Sequence, residues 1–110
     1  MAPSNGLPPL PSDVAGGLAA GKVVVISLYA PNVKLDDLAL LEAKAGAARA
    51  NAAFASVDVT TSQVDGLTAR FSVLHDPGVL VLRPPGDLVV KLDGFADEDT
   101  VAQAAETGQQ

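Results

Sequence analysis

The chain has 110 residues, a formal net charge of −6 and no cysteine. This length suits one domain, and a hydrophobic fraction of 48% supplies enough apolar material for a single core. The acidic balance argues against nucleic-acid binding, because no basic stripe is present to neutralise phosphates. The absence of cysteine excludes disulfides, thiolate metal sites and thiol nucleophiles, and the single histidine argues against a catalytic triad. We therefore expect a non-enzymatic domain with no cofactor and no metal.

The start of the chain is rich in proline. Prolines at positions 3, 8, 9 and 11 indicate that residues 1–11 form an extended, flexible linker. No apolar run approaches the roughly 20 residues that a membrane helix needs, and the first residues lack the features of a signal peptide. We therefore expect no direct membrane insertion. The folded domain is expected over residues 12–108, as part of a longer, extracytoplasmic polypeptide.

The predicted elements alternate between helices and strands. A short helix over 12–20 precedes a strand over 22–29, whose continuous β-branched residues predict burial on both faces in the centre of a sheet. A helix over 35–50 then leads to an alternating strand over 54–59, and a third helix begins near Ser62 with capping-box spacing. Strands separated by helices of this length imply right-handed parallel crossovers.

The helix over 35–50 has apolar residues on more than one side. The face that we expect to pack on the sheet holds Leu35, Leu38, Leu41, Ala45 and Ala48. The nominally outer side holds Leu40, Ala43, Ala47 and Ala50. This outer side is either an exterior with no binding role or a surface that packs against a partner or a second copy. The second alternative is considered because contiguous exposed apolar surface commonly marks an interface.

The C-terminal part predicts a hairpin and a closing helix. Residues 79–82 and 88–92 are short strands, and Pro85-Gly86 between them suits the central positions of a type II turn. Three acidic residues at 97–99 precede the last helix, and Gly108 is its expected end. The hairpin makes the sheet mixed. The fold class is therefore α/β, with a central mixed sheet of four or five strands and helices on both faces.

Over about residues 21–106 this order resembles the thioredoxin family. The strand that ends in Tyr29-Ala30 is similar to the family's central strand, and the helix from about Leu35 is similar to its redox helix. The stretch over 69–73, followed by Pro77, is similar to the segment that leads into the family's cis-proline. The hairpin, the Asp93-Gly94-Phe95 segment and the closing helix complete the order. The family's first strand has no clear counterpart, and the resemblance otherwise implies a thioredoxin-like fold.

The chain departs from the family at the redox site. The family's motif is Cys-Gly-Pro-Cys, and ungapped placement puts Val33-Lys34-Leu35-Asp36 at those positions. Ser27 stands where the family has a buried acid that assists thiol chemistry. Thiol–disulfide exchange needs an attacking thiolate and a resolving sulfur, and this chain supplies neither. The resemblance therefore implies a thioredoxin-like domain without redox activity.

The resemblance also implies a binding surface. In thioredoxin-like domains the residue before the cis-proline offers its backbone to an extended peptide, as in β-strand addition. Asp76 and Pro77 match those positions, and the segments at 29–31 and 94–95 flank them. The expected partner is a protein or an extended peptide segment, which can be another region of the same longer polypeptide. The expected binding residues are Tyr29, Pro31, His75, Asp76, Pro77 and Phe95.

Other functions stay open at this point. A structural subdomain of a larger extracytoplasmic assembly would pack through the apolar helix face, and the same face permits a homo-oligomer. His75-Asp76 resembles an acid–base pair, but no nucleophile motif accompanies it, so a solvated loop that sets up Pro77 is the simpler interpretation. The acidic residues at 36–37 and 97–99 lie at predicted helix starts, where the helix dipole favours them, so we expect no cation site there.

Overall fold

The structure is a computed structural model that describes residues 7–72 and 74–110. The elements are α1 (Ser12–Ala19), β1 (Val24–Tyr29), α2 (Lys34–Arg49), β2 (Ala53–Asp58), α3 (Asp65–Phe71, after a 3₁₀ turn over Ser62–Val64), β3 (Gly78–Arg83), β4 (Asp87–Asp93) and α4 (Glu98–Gly108). This order agrees with the prediction. The first six residues of the predicted linker, and Val73, lie outside the described residues.

The strands of the described residues form one mixed sheet in the order β2-β1-β3-β4. β1 pairs in parallel with β2 and antiparallel with β3, and β3 and β4 form the predicted hairpin. The central position of β1 accounts for its unbroken apolar run, because Val24, Val25 and Ile26 are buried with both faces of the sheet covered. The α/β class with a four-stranded mixed sheet is thus confirmed.

Helices cover both faces of this sheet. On one face α2 and α4 pack on the strands, in a cluster that includes Val23, Val25, Ala43, Ala47, Val79, Val81, Val101 and Ala105. On the other face α1 and α3 pack on the strands, in a cluster that includes Val14, Leu18, Val24, Ile26, Leu67, Leu80 and Leu82. Within the described part of the chain, none of these helices is both long and apolar enough to cross a membrane.

α2 packs through the side opposite to Leu35, Leu38 and Leu41, all of which are exposed. Leu38 and Leu41 are 56% and 60% exposed, whereas Ala43 and Ala47 are buried. The prediction that the leucine face packs on the sheet is therefore wrong, and the side predicted to face outward is the inner one. The physical reason is the short distance between α2 and α4, which leaves room only for small side chains between them. α2 shares this face of the sheet with α4, and the two lie so close at Gly46 that a Cβ there would stand 2.8 Å from the Glu98 carbonyl oxygen.

The hairpin turn also differs from its prediction. β3 ends at Arg83 and β4 begins at Asp87, with Pro84, Pro85 and Gly86 between them. The Pro84–Pro85 peptide bond is cis, and Gly86 lacks the positive φ that the third residue of a type II turn requires. The hairpin is therefore present, but its turn is not type II.

Residues 7–11 lie against α3. The Arg70 guanidinium donates a hydrogen bond of 2.7 Å to the Pro8 carbonyl. Gly66 of α3 approaches the Pro9 backbone so closely that a Cβ at position 66 would overlap the Pro9 carbonyl. This glycine is needed because the chain crosses directly over it.

Candidate functional site

Three segments meet at the end of the sheet where β1 finishes and β3 begins. Leu28 of β1 is paired with Gly78 of β3, so continuing that register brings Tyr29 alongside Pro77. Pro77 has no N–H to donate, and the antiparallel pairing stops there. The Pro77 carbonyl accepts the N–H of Gly94 at 2.9 Å, which fixes the loop after β4 to the same place. We call residues 29–31, 75–77 and 94–95 together the corner.

The side chains of the corner differ in their exposure. Pro77 is buried, and its peptide bond with Asp76 is cis. Pro31, His75 and Asp76 are exposed, and Tyr29 is half-buried. Phe95 is 48% exposed and follows directly on the residue bonded to Pro77. The structure therefore brings together the segments that hold all six predicted binding residues, and it leaves aromatic surface accessible among them.

Asp36 joins the corner from α2. It lies in the first turn of that helix and is only 1% exposed. Its Oδ2 accepts the N–H of Ala30 at 2.8 Å, so the start of α2 is tied to the chain leaving β1. Sequence reasoning explained Asp36 as an acid favoured by the helix dipole and missed this inward contact. The available signal was its place at the second cysteine position of the family's motif.

The neighbouring Asp36 raises the pKa of the Asp76 carboxyl. The largest cause is the hydrogen-bonding interaction between the two side chains, and partial burial and the charge of Asp36 add to it. The backbone N–H of Asp76 and the charge of His75 oppose this effect and are smaller. Asp76 therefore keeps its proton to higher pH than an ordinary aspartate.

The chemistry that these groups can support is limited. Without cysteine, the chain cannot carry out thiol–disulfide exchange. Ser27, where the family has its buried acid, is 1% exposed, and a hydroxyl cannot take over the proton transfer of a carboxylate. In the described ranges no group of three or more acidic or histidine side chains is placed to hold a metal ion.

Four of the six predicted binding residues are exposed: Pro31, His75, Asp76 and Phe95. A cavity of about 400 Å³ lies at the opposite end of β1, where Lys22 and Arg83 line it, and it contains none of the corner residues. Small-molecule sites are concave and bury most of their ligand, whereas Phe95 at the corner is 48% exposed.

Comparison with known proteins identifies the fold. No protein-family model matches the chain, and no curated protein matches it. Among solved structures, a mutant thioredoxin from Halobacterium salinarum NRC-1 is 21% identical, with a TM-score of 0.74 over 90% of this chain and 85% of that one. Oxidised thioredoxin from Plasmodium falciparum is 18% identical, with a TM-score of 0.66 over 86% and 88%. A thioredoxin from Thermus thermophilus is 23% identical, with a TM-score of 0.61 over 82% and 75%.

These likenesses, all below 25% identity, define the class of structure: the chain has a thioredoxin fold. Because the chain contains no cysteine, it is a thioredoxin-like domain that lacks the redox cysteines, as the resemblance in its sequence implied. The redox activity of thioredoxins depends on their thiols, so it does not extend to this chain, which has none.

Proposed function

We propose that this domain is a binding module, not an enzyme, and that it holds an extended protein segment at the corner. The observation that carries the proposal is the convergence of three chain segments on Pro77, with Phe95 48% exposed at the edge of that convergence. A scaffold function of this kind needs no thiol, since the affinity comes from backbone hydrogen bonds and from buried apolar side chains.

The hydrogen bonds within the corner support this function by fixing its shape before binding. Asp36 accepts the N–H of Ala30, and the Pro77 carbonyl accepts the N–H of Gly94. Ordering a loop at the moment of binding costs free energy, so a surface whose segments are already fixed binds an extended chain more tightly. The partner is a protein or peptide segment, including another region of the same longer polypeptide.

The aromatic side chains would supply the apolar contacts. Phe95 and Tyr29 each offer a large surface with few rotatable bonds, and aromatic residues dominate the energetics of protein interfaces. An extended peptide would place alternate side chains against these rings while its backbone follows residues 75–76.

A display library of random, unstructured peptides tests the proposal. We expect the wild-type domain to enrich peptides that no longer bind the Phe95→Ser variant. The matched control is Leu88→Ser, because Leu88 is another exposed apolar side chain (38%) but lies on β4 outside the corner. Enriched peptides that bind both variants as well as the wild type would contradict the proposal.

The exposed leucines of α2 favour a second candidate, a structural subdomain of a larger extracytoplasmic assembly. Packing would then use Leu38 and Leu41, which are 56% and 60% exposed. In that case Leu38→Lys would abolish association with the rest of the assembly, whereas Phe95→Ser would not. Binding at the corner predicts the reverse.

A further inference from the structure

The end of the sheet away from the corner holds a cavity of about 400 Å³. Its lining comes from the turns that follow α1 and α2, from the end of α4 and from the end of β3. Lys22 and Arg83 are the charged residues of this lining, and we call it the cationic cavity. Ligand pockets in proteins occupy about 300–1,000 Å³, so the cationic cavity is large enough for a small molecule.

The two cations of the cavity start from neighbouring positions on the backbone. Val24 of β1 pairs with Leu82 of β3, so continuing that antiparallel register sets Arg83 beside Val23, the residue that follows Lys22. Both Lys22 and Arg83 are exposed, and both line the same cavity. A single anionic group in the cationic cavity is therefore within reach of both side chains.

Neither cation is neutralised within the part of the chain that the structure describes. Arg83 is opposite Asp87 in the hairpin register, but the ion pairs among the described residues both belong to Arg49. The side chains of Lys22 and Arg83 also make no hydrogen bond to another described residue. Because the chain has a net charge of −6, two unpaired cations that line one cavity are not explained by a general excess of basic residues.

Three helices end at the cationic cavity, and a helix C-terminus also attracts cations. The carbonyl groups at these ends already have partners within the chain. Those at the end of α1 accept the backbone N–H groups of residues 20–22, and the Ala50 carbonyl after α2 accepts the Gln109 side-chain amide at 2.7 Å. At the end of α4 the Glu106 carbonyl accepts the Gln109 N–H. The ammonium and guanidinium groups therefore keep their hydrogen-bond donors for a ligand, and their full charges exceed the partial charge of a helix end at direct contact.

We propose that the cationic cavity binds the phosphate monoester group of a small polar molecule. A phosphate monoester carries close to two negative charges at neutral pH, which two adjacent cations balance. The guanidinium of Arg83 offers a planar fork of donors that suits phosphate oxygens, and the ammonium of Lys22 adds a compact positive charge. A single carboxylate would leave one of the two cations unbalanced.

The uncharged lining indicates what the phosphate is attached to. Asn51 is exposed and its amide can both donate and accept, and the Gln109 side chain, held by its bond to Ala50, keeps its amide oxygen as an acceptor. Val23 and Pro84 supply a small apolar surface beside these amides. Amide groups of this kind suit hydroxyl groups, so the expected ligand is a sugar phosphate rather than phosphate alone.

Titration calorimetry with glucose 6-phosphate and ribose 5-phosphate at low ionic strength tests the proposal. At least one of them should bind the wild-type domain with a Kd of about 1 mM or lower, and Lys22→Gln and Arg83→Gln should each raise that Kd by about tenfold or more. The matched control is Lys44→Gln, which removes the same charge from an exposed position of α2 outside the cavity and should leave the Kd within about twofold. All three positions are exposed, so the variants should fold, which circular dichroism verifies.

Two further titrations separate a specific site from general attraction of anions. Glucose and ribose, which lack the phosphate, should not bind, and inorganic phosphate should bind more weakly than the better sugar phosphate. Inorganic phosphate that binds as tightly as the sugar phosphates would indicate an adventitious ion only. That result, no binding of either sugar phosphate, or equal weakening by Lys44→Gln and the two cavity variants would overturn the proposal.

Discussion

The close approach of α2 and α4 makes Gly46 a sensitive position. A Cβ at position 46 would stand 2.8 Å from the Glu98 carbonyl oxygen, 2.8 Å from Val101 Cβ and 2.9 Å from Ala102 N. Two of these atoms belong to the backbone of α4 and cannot rotate away. The start of α4 is also held by a hydrogen bond of 2.9 Å from the Glu98 N–H to the Glu42 carboxylate. Gly46→Ala therefore requires the two helices to separate.

Two effects of opposite sign determine the result. Replacing glycine by alanine inside a helix ordinarily stabilises the protein by about 1 kcal/mol, through helix propensity. Overpacking a tight contact costs about 1–3 kcal/mol, and clashes with backbone place Gly46→Ala in the upper part of that range. We therefore expect the free energy of unfolding to fall by about 1–2 kcal/mol.

Urea denaturation followed by circular dichroism measures this change. The matched control is Gly16→Ala in α1, because a Cβ at position 16 meets no atom within 4 Å. The control should gain stability, by up to about 1 kcal/mol, from helix propensity alone. If Gly46→Ala were stabilising to the same extent as Gly16→Ala, the close packing of α2 on α4 would be refuted.

Three further predictions concern Leu67, Asp76 and Gly66. Leu67 is fully buried, so Leu67→Ala should lower the free energy of unfolding by about 2–5 kcal/mol in urea denaturation, whereas Leu41→Ala, at a 60% exposed position, should change it by no more than about 0.5 kcal/mol at low protein concentration. Equal losses would refute the orientation of α2. Asp76 binds its proton more tightly in the folded chain, so its stabilisation is complete below its unfolded pKa of about 3.8 and is lost as pH rises through its raised folded pKa. Asp76→Asn should flatten that part of the curve of thermal midpoint against pH, and an unchanged curve would contradict the raised pKa of Asp76. Gly66→Ala should detach the crossing segment near Pro9, seen as faster proteolysis before α1, and unchanged cleavage would contradict that contact.

The sequence predicts those parts of the fold whose local residue pattern is compatible with only one structure. The continuous β-branched run over 22–29 is compatible with few positions other than the centre of a sheet, and β1 occupies that position. The order of elements, together with the Tyr29-Ala30 and Pro77 segments, was sufficient for the resemblance to the thioredoxin family, and the fold agrees. In these regions local propensity and tertiary packing favour the same structure.

The parts that were not predictable depend on contacts between distant segments. Periodicity cannot choose between the leucine side and the alanine side of α2, because both are apolar, and only the presence of α4 requires the small residues to face inward. The Pro85-Gly86 pair suits a type II turn locally, yet the φ of Gly86 differs from it. Asp36 has a sufficient local explanation at a helix start, so its hydrogen bond with the Ala30 N–H appears only in the folded chain.

The central claim is that the corner binds an extended protein segment. It is tested most directly by titrating the isotope-labelled domain with a peptide enriched from the display library and recording heteronuclear NMR spectra. We predict the largest chemical-shift changes at residues 29–31, 75–77 and 94–95, with little change at Leu38 and Leu41 of α2. Changes centred on Leu38 and Leu41, with the corner residues unmoved, would contradict it.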